Sequence, residues 1–148
     1  MEILFTKSDL ILSKMIRHIS EEPVSHCAIA HDWWVAHSSV FGVEIMTREE
    51  FESRYTIVYS VPRPDIPEQT VLQILTKTNR SMYDYGCLLY LGVRWTMKKY
   101  FKIPLPKVNL WASSGMYMCT EWLTAIDRQG EDSMITPYKL YLKMSGQL

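Results

Sequence analysis

Two histidines and one cysteine carry the most specific chemistry in this sequence. The stretch Ser25-His26-Cys27-Ala28-Ile29-Ala30-His31-Asp32-Trp33-Trp34-Val35-Ala36-His37 reads as two short strands joined by His31-Asp32. With His31 and Asp32 as the turn residues, Ala30 lies opposite Trp33 and His26 lies opposite His37. The two imidazoles then share one face, with Cβ atoms roughly 4.5–5.5 Å apart. A three-residue loop or a bulge would break that register. Opposed imidazoles can act as a unit, because a hydrogen bond from one fixes the tautomer and orientation of the other. Taken singly, either histidine is more simply a satisfied polar group on a β-ribbon, so the weight rests on the pairing.

The third group is Cys119, in Ser113-Ser114-Gly115-Met116-Tyr117-Met118-Cys119-Thr120-Glu121-Trp122-Leu123, where a loop of small residues runs into an amphipathic helix. A helix start has unpaired N–H groups and the positive end of the helix dipole, and both favour a thiolate. The same N–H groups can stabilise the oxyanion of a tetrahedral intermediate. Alone, a cysteine here is more simply a small core residue. Combined with a base on a strand and a group orienting that base, it completes a generalised triad for acyl transfer at an amide, ester or thioester carbonyl. Tyr117, two residues before the thiol, is a candidate for carbonyl or oxyanion binding. Trp33 and Trp34 point to opposite faces of a regular strand, and Trp33 is a candidate for lining a substrate cleft or a partner interface. Cys27 alternates to the face opposite His26, and both it and Cys87 are expected in the core. A zinc site built from His26, His37 and Cys119 fits less well, since the spacing is not that of a zinc finger.

The elements that must position these groups follow from periodicity and caps. Strands are expected at Ile3–Thr6, Val24–Ala30, Trp33–His37, Gly42–Met46 and Tyr55–Val61. A first helix is expected over Ser8–Ile19, with Ser8 as N-cap and Leu10, Ile11, Met15 and Ile16 at helical spacing. Thr47-Arg48-Glu49-Glu50 is a capping box that starts a short helix. Further helices are expected from Asp65-Ile66-Pro67-Glu68 to Thr78, from a Ser81 cap through Leu91 or beyond, over Tyr117–Asp127, and after Thr136-Pro137. Strands early and helices late describe an α+β domain, with an antiparallel sheet carrying the histidines and no linker to divide residues 1–148.

Composition narrows the function. Hydrophobic residues form 47% and charged residues 22% of the 148 residues, which excludes a disordered chain. Lys plus Arg and Asp plus Glu each number 16, so no basic footprint calls for nucleic acid. Three cysteines are too few and too odd for a secreted disulfide scaffold. No signal peptide or membrane span is apparent, so a reducing cytoplasm, or a particle assembled there, is expected.

The ordered motifs resemble the circularly permuted papain-like hydrolases of the NlpC-like superfamily, which include relatives of lecithin–retinol acyltransferase. The likeness rests on Ser25-His26 with the apolar strand after it, Trp34-Val35-Ala36-His37, Gly42-Val43 and Cys119-Thr120-Glu121. Lesser echoes are Tyr83-Asp84-Tyr85 and Thr136-Pro137-Tyr138. The resemblance implies Cys119 as nucleophile, His26 as general base and His37 as the third polar residue, with no cofactor and no metal. His31-Asp32 departs from the glycine usual in that turn. The lack of a C-terminal membrane helix is expected to set the chain apart from integral lipid enzymes. A cysteine amidase or peptidase acting on a peptide or peptidoglycan-like amide is the preferred reading. The alternatives are a thiol acyltransferase or esterase on a lipid or thioester, and a catalytically silent binding module with a protein assembly partner.

Overall fold

A computed structural model describes residues 1–78, 81–82, 84–106, 116, 118–127 and 135–147. Five strands, β1 (Glu2–Lys7), β2 (His26–Ala30), β3 (Trp34–Ser39), β4 (Gly42–Thr47) and β5 (Thr56–Pro62), form one antiparallel sheet in the order β4-β3-β2-β1-β5. The helices are α1 (Ile11–Ser20), α2 (Arg48–Arg54), α3 (Glu68–Thr78), α4 (Tyr85–Thr96), α5 (Cys119–Asp127) and α6 (Pro137–Met144), with a π-helical turn, Met97–Phe101, extending α4. The expected α+β class, with histidines on the sheet and a cysteine at a helix start, is what the chain adopts.

The central strands are apolar on both faces, and each face has its own cover. Ile3, Phe5, Cys27, Ile29 and Ala36 pack with Trp122, Leu123 and Cys119 of α5, Val71 and Leu75 of α3, and Leu140 of α6. Leu4, Ala28, Ala30, Val35 and Met46 pack with Phe51 of α2 on the other face. This double burial explains the near-continuous apolar runs in β1 and β2. The helix α2 lies between edge strand β4 and edge strand β5 in the chain, so it must cross that second face. It starts where the capping box predicts, with the Glu50 N–H donating to Thr47 Oγ1 at 3.2 Å. Gly42 opens β4 at φ +108°, and a Cβ there would sit 2.5 Å from the Ser81 carbonyl oxygen, so the position requires glycine.

Three expectations are corrected. The β2–β3 pairing is Ile29 with Ala36 and Ala30 with Val35, and the His31 N–H donates to the Trp34 carbonyl. The turn residues are therefore Asp32-Trp33, and the register places His37 opposite Ala28, two residues from His26. A shift of two preserves the face, so the imidazoles become diagonal neighbours instead of opposed ones. Ser8 does not cap α1; its N–H donates to Ser13 Oγ at 3.0 Å, and Ser13 Oγ lies 2.6 Å from Ser25 Oγ, tying the helix to the start of β2. The α4 cap is Asp84, which accepts the Cys87 N–H at 2.7 Å, and not Ser81. Much of the apolar stripe of α1 is uncovered as well, with Ile11 77% and Met15 52% exposed.

Candidate active site

His26 opens β2 and His37 lies within β3. His26 Nε2 lies 2.9 Å from His37 Nδ1, and the rings meet edge to face at 5.1 Å between centroids. The crossing helix α2 supplies the wall around them. Tyr55, just past its end, stacks on His26 at 5.3 Å and meets the His37 ring edge-on at 5.5 Å, and Phe51 meets His37 at 5.2 Å. His37 is fully buried. Burial first, then the neighbouring His26 and Arg54, push its pKa down to about 2, so His37 is neutral. Glu44 sits opposite it in the β3–β4 register, with Oε1 3.6 Å from His37 Nε2. That separation is too long for a hydrogen bond, and the imidazole is uncharged, so the contact is not an ion pair.

Cys119 is the first residue of α5. Glu121 reaches back to accept the Met118 N–H at 3.0 Å, one half of a capping box, and the Trp122 N–H closes the first turn on the Met118 carbonyl. Trp122 anchors the helix: it is fully buried, and its Nε1–H donates to Thr78 Oγ1 of α3 at 3.1 Å. The thiol of Cys119 lies near enough to Cys27 and to His26 for both to lower its pKa. The Cys27 thiol leads in holding Cys119 well below the ordinary range, and His26 adds to the fall, against a desolvation cost. Burial pushes the Cys27 thiol up, and its contact with Cys119 adds to that rise. Of the two thiols, Cys119 is therefore the more readily deprotonated. Cys119 packs on the face opposite the imidazoles. It meets His26 at the end of the sheet where β2–β3 pairing has stopped, beyond Ile29 and Ala36. The arrangement has the geometry of a thiol-dependent catalytic site.

A second thiol lies nearby. Side-chain atoms of Asp84, Cys87 and Glu121 all fall within 4.8 Å of one another, the spacing of a metal-ligand set. Burial first, then Glu121 and Asp84, raise the Cys87 pKa to about 12, and burial likewise raises that of Glu121. Two concavities flank the site. A small pocket of mixed lining, about 60 Å³, sets His26 and Tyr55 against Ser8, Ser13, Ser25 and Ser39, with Leu10, Leu12 and Ile16 also lining it. A groove of about 690 Å³ between α1 and α4, almost wholly apolar, shares Leu12 and Ile16 with that pocket.

Among the residues expected at the site, His26, His37 and Cys119 are brought together. Trp33 is 69% exposed in the hairpin turn, at the other end of β2 from His26. Tyr117 lies outside the described residues. Sequence reasoning missed Tyr55 and Glu44, quoted Glu121 in the Cys119-Thr120-Glu121 motif without a role, and placed Cys27 in the core without its partner Cys119. Glu44 had a signal, because Gly42 marks the β3–β4 turn and thereby the pairing of residues 37 and 44. Among the described residues, no helix is long and apolar enough to cross a membrane. No protein-family model matches the chain, and no curated protein matches it.

Proposed function

We propose that the chain is a cysteine hydrolase, of the circularly permuted papain-like type that its ordered motifs resemble, acting on a peptide-like or cell-wall-like amide. The observation that carries this reading is the continuous chain from a depressed Cys119 thiol to His26 and from His26 to a neutral, buried His37 at 2.9 Å. His26 Nε2 is committed to His37, so Nδ1 is the nitrogen left for the thiol. In the mechanism, His26 Nδ1 takes the Cys119 proton and the sulfur attacks the carbonyl carbon. The N–H groups at the start of α5 stabilise the oxyanion. His26 returns the proton to the leaving amine as the C–N bond breaks. It then takes a proton from water, which attacks the thioester and frees Cys119. The serine-lined pocket against His26 suits a polar, peptide-like group.

One observation favours a second reading, an acyl ester or thioester substrate. The apolar groove between α1 and α4 continues into the His26 pocket through Leu12 and Ile16, which suits an extended acyl chain. Gly92 lines that groove, and a Cβ there would meet nothing within 4 Å, so Gly92→Phe directs a ring into open groove space.

Intact-mass analysis and peptide mapping after exposure to p-nitrophenyl acetate test the common chemistry. An acetyl adduct on Cys119 that slows by about 100-fold or more in His26→Ala is expected. Equal acetylation of Cys27 or Cys87 overturns it. Comparing dipeptide p-nitroanilides with p-nitrophenyl esters of increasing chain length then separates the substrates. A chain-length preference that Gly92→Phe removes, with acetate turnover unchanged, selects the acyl reading over the amide.

A further inference from the structure

We propose that Glu44 is a positioning residue that sets the tautomer of both site imidazoles through His37, an inference that rests on the hydrolase reading above and adds a fourth group to it. Glu44 faces His37 directly across the β3–β4 pair, with its carboxylate oxygen 3.6 Å from His37 Nε2. That nitrogen is buried and makes no hydrogen bond among the described residues. A neutral imidazole carries one N–H and one lone pair. A lone pair at Nε2 would point at a carboxylate and repel it, whereas an N–H there is attracted to it. Glu44 therefore favours the proton on His37 Nε2 and leaves Nδ1 as the acceptor.

The consequence passes along the 2.9 Å contact. If His37 Nδ1 accepts, His26 Nε2 must donate, and the neutral His26 then has its lone pair on Nδ1. That is the nitrogen needed to remove the Cys119 proton. In the opposite arrangement His37 Nδ1–H donates to His26 Nε2, and His26 Nδ1 already carries a proton and cannot act as a base. Two arrangements fit the same heavy-atom positions, and only the charge at the far end distinguishes them. The other groups facing His37 do not select between them. Phe51 and Tyr55 present rings, and Arg54 disfavours protonation of the ring as a whole. Glu44 is partly exposed on an edge strand, so its removal spares the core.

The test uses the full chain with 15N-labelled histidine. Long-range 1H–15N correlation spectra assign the tautomer of each imidazole whether or not a substrate is known. His37 is expected in the Nε2–H form, and Glu44→Ala is expected to convert most of it to the Nδ1–H form. Glu44→Asp, which keeps the carboxylate charge, is expected to retain the Nε2–H form, and Glu44→Gln, which removes the charge and can turn an amide N–H toward Nε2, is expected to lose part of it. With p-nitrophenyl acetate, Glu44→Ala is expected to lower kcat by about 10–100-fold with KM within about twofold, and Glu44→Asp to restore most of it. A His37 that remains Nε2–H in folded Glu44→Ala, or kcat unchanged in that variant, overturns the proposal. The expected tautomer change in a protein that never acylates Cys119 leaves the Glu44 coupling standing and removes the hydrolase reading. Acylation of Cys119 with no tautomer change does the reverse.

Discussion

Two helices of this protein carry a cysteine in the first turn, and the two thiols differ in opposite directions. In α4, Asp84 caps the helix and Cys87 follows, buried, with its pKa pushed up to about 12 by burial, Glu121 and Asp84. In α5, Cys119 is held well below the ordinary thiol value by the Cys27 side chain and by His26. The helix terminus is common to both. Its field contributes typically about 0.3–1 kcal/mol, less than one pKa unit at about 1.4 kcal/mol per unit. What separates the thiols is therefore their neighbours, two carboxylates in one case and an imidazole with a second thiol in the other. A cysteine at a helix start becomes a nucleophile only when its surroundings favour the charge.

The largest expected effect is on turnover. Cys119→Ala should lower p-nitrophenyl acetate hydrolysis by at least about 1000-fold, and Cys87→Ala should leave it within about twofold. A comparable loss in a folded Cys87→Ala variant breaks the comparison. The next effect is selective labelling. At neutral pH a thiol with a pKa near 12 is ionised in about one molecule in 100,000, while one below 9 is ionised in at least about one in 100. After allowing for the weaker nucleophilicity of a low-pKa thiol, limiting iodoacetamide should modify Cys119 at least about 30-fold faster than Cys87. Peptide mapping that finds equal labelling removes the assigned difference in charge.

Acid should reveal the neutral imidazole on the Cys119 side of the comparison. His37 has a pKa of about 2 when folded, against an ordinary 6.5, so between those values the unfolded chain binds a proton that the native chain does not. Its contribution to stability is complete above about pH 6.5 and falls as pH drops toward about 2, by about 1.4 kcal/mol per pH unit. Denaturant titrations across that window should show the slope, reduced by one proton's worth in His37→Asn. An unchanged slope means that His37 titrates normally. The smallest effect sharpens the contrast. Glu121→Gln removes one carboxylate charge beside Cys87 and should raise its alkylation rate by about 3–10-fold, with Cys119 still the faster thiol. No change at Cys87 leaves burial alone as the cause of its high pKa.

Much of the frame was legible from local patterns. The capping box at Thr47, the Thr136-Pro137 start of α6 and the short runs rich in strand formers in β2 and β3 are short-range signals, and each element forms close to where they indicate. The register of the histidine hairpin was not, because His31-Asp32 and Asp32-Trp33 are equally acceptable turns locally, and the choice depends on how β2 and β3 pack with the rest of the sheet. Face survived that error, since a shift of two residues preserves alternation. The stripe of Leu10, Ile11, Met15 and Ile16 had helical period but gave no information about what covers it, and in the structure much of it is left exposed along a groove.

The sequence by itself determined which residues could react, which strand face the histidines share and that Cys119 begins a helix, because these depend on residue type and a period of two or 3.6. Only the tertiary structure decided which thiol is the more acidic. Cys27 and Cys119 are 92 positions apart in the chain, and Glu121 and Cys87 are 34 apart. Coulomb interactions and desolvation act over a few ångströms of space, regardless of separation along the chain. Until α5 is laid across β2 and α4, nothing distinguishes an acidic thiol beside an imidazole from a thiol held near two carboxylates.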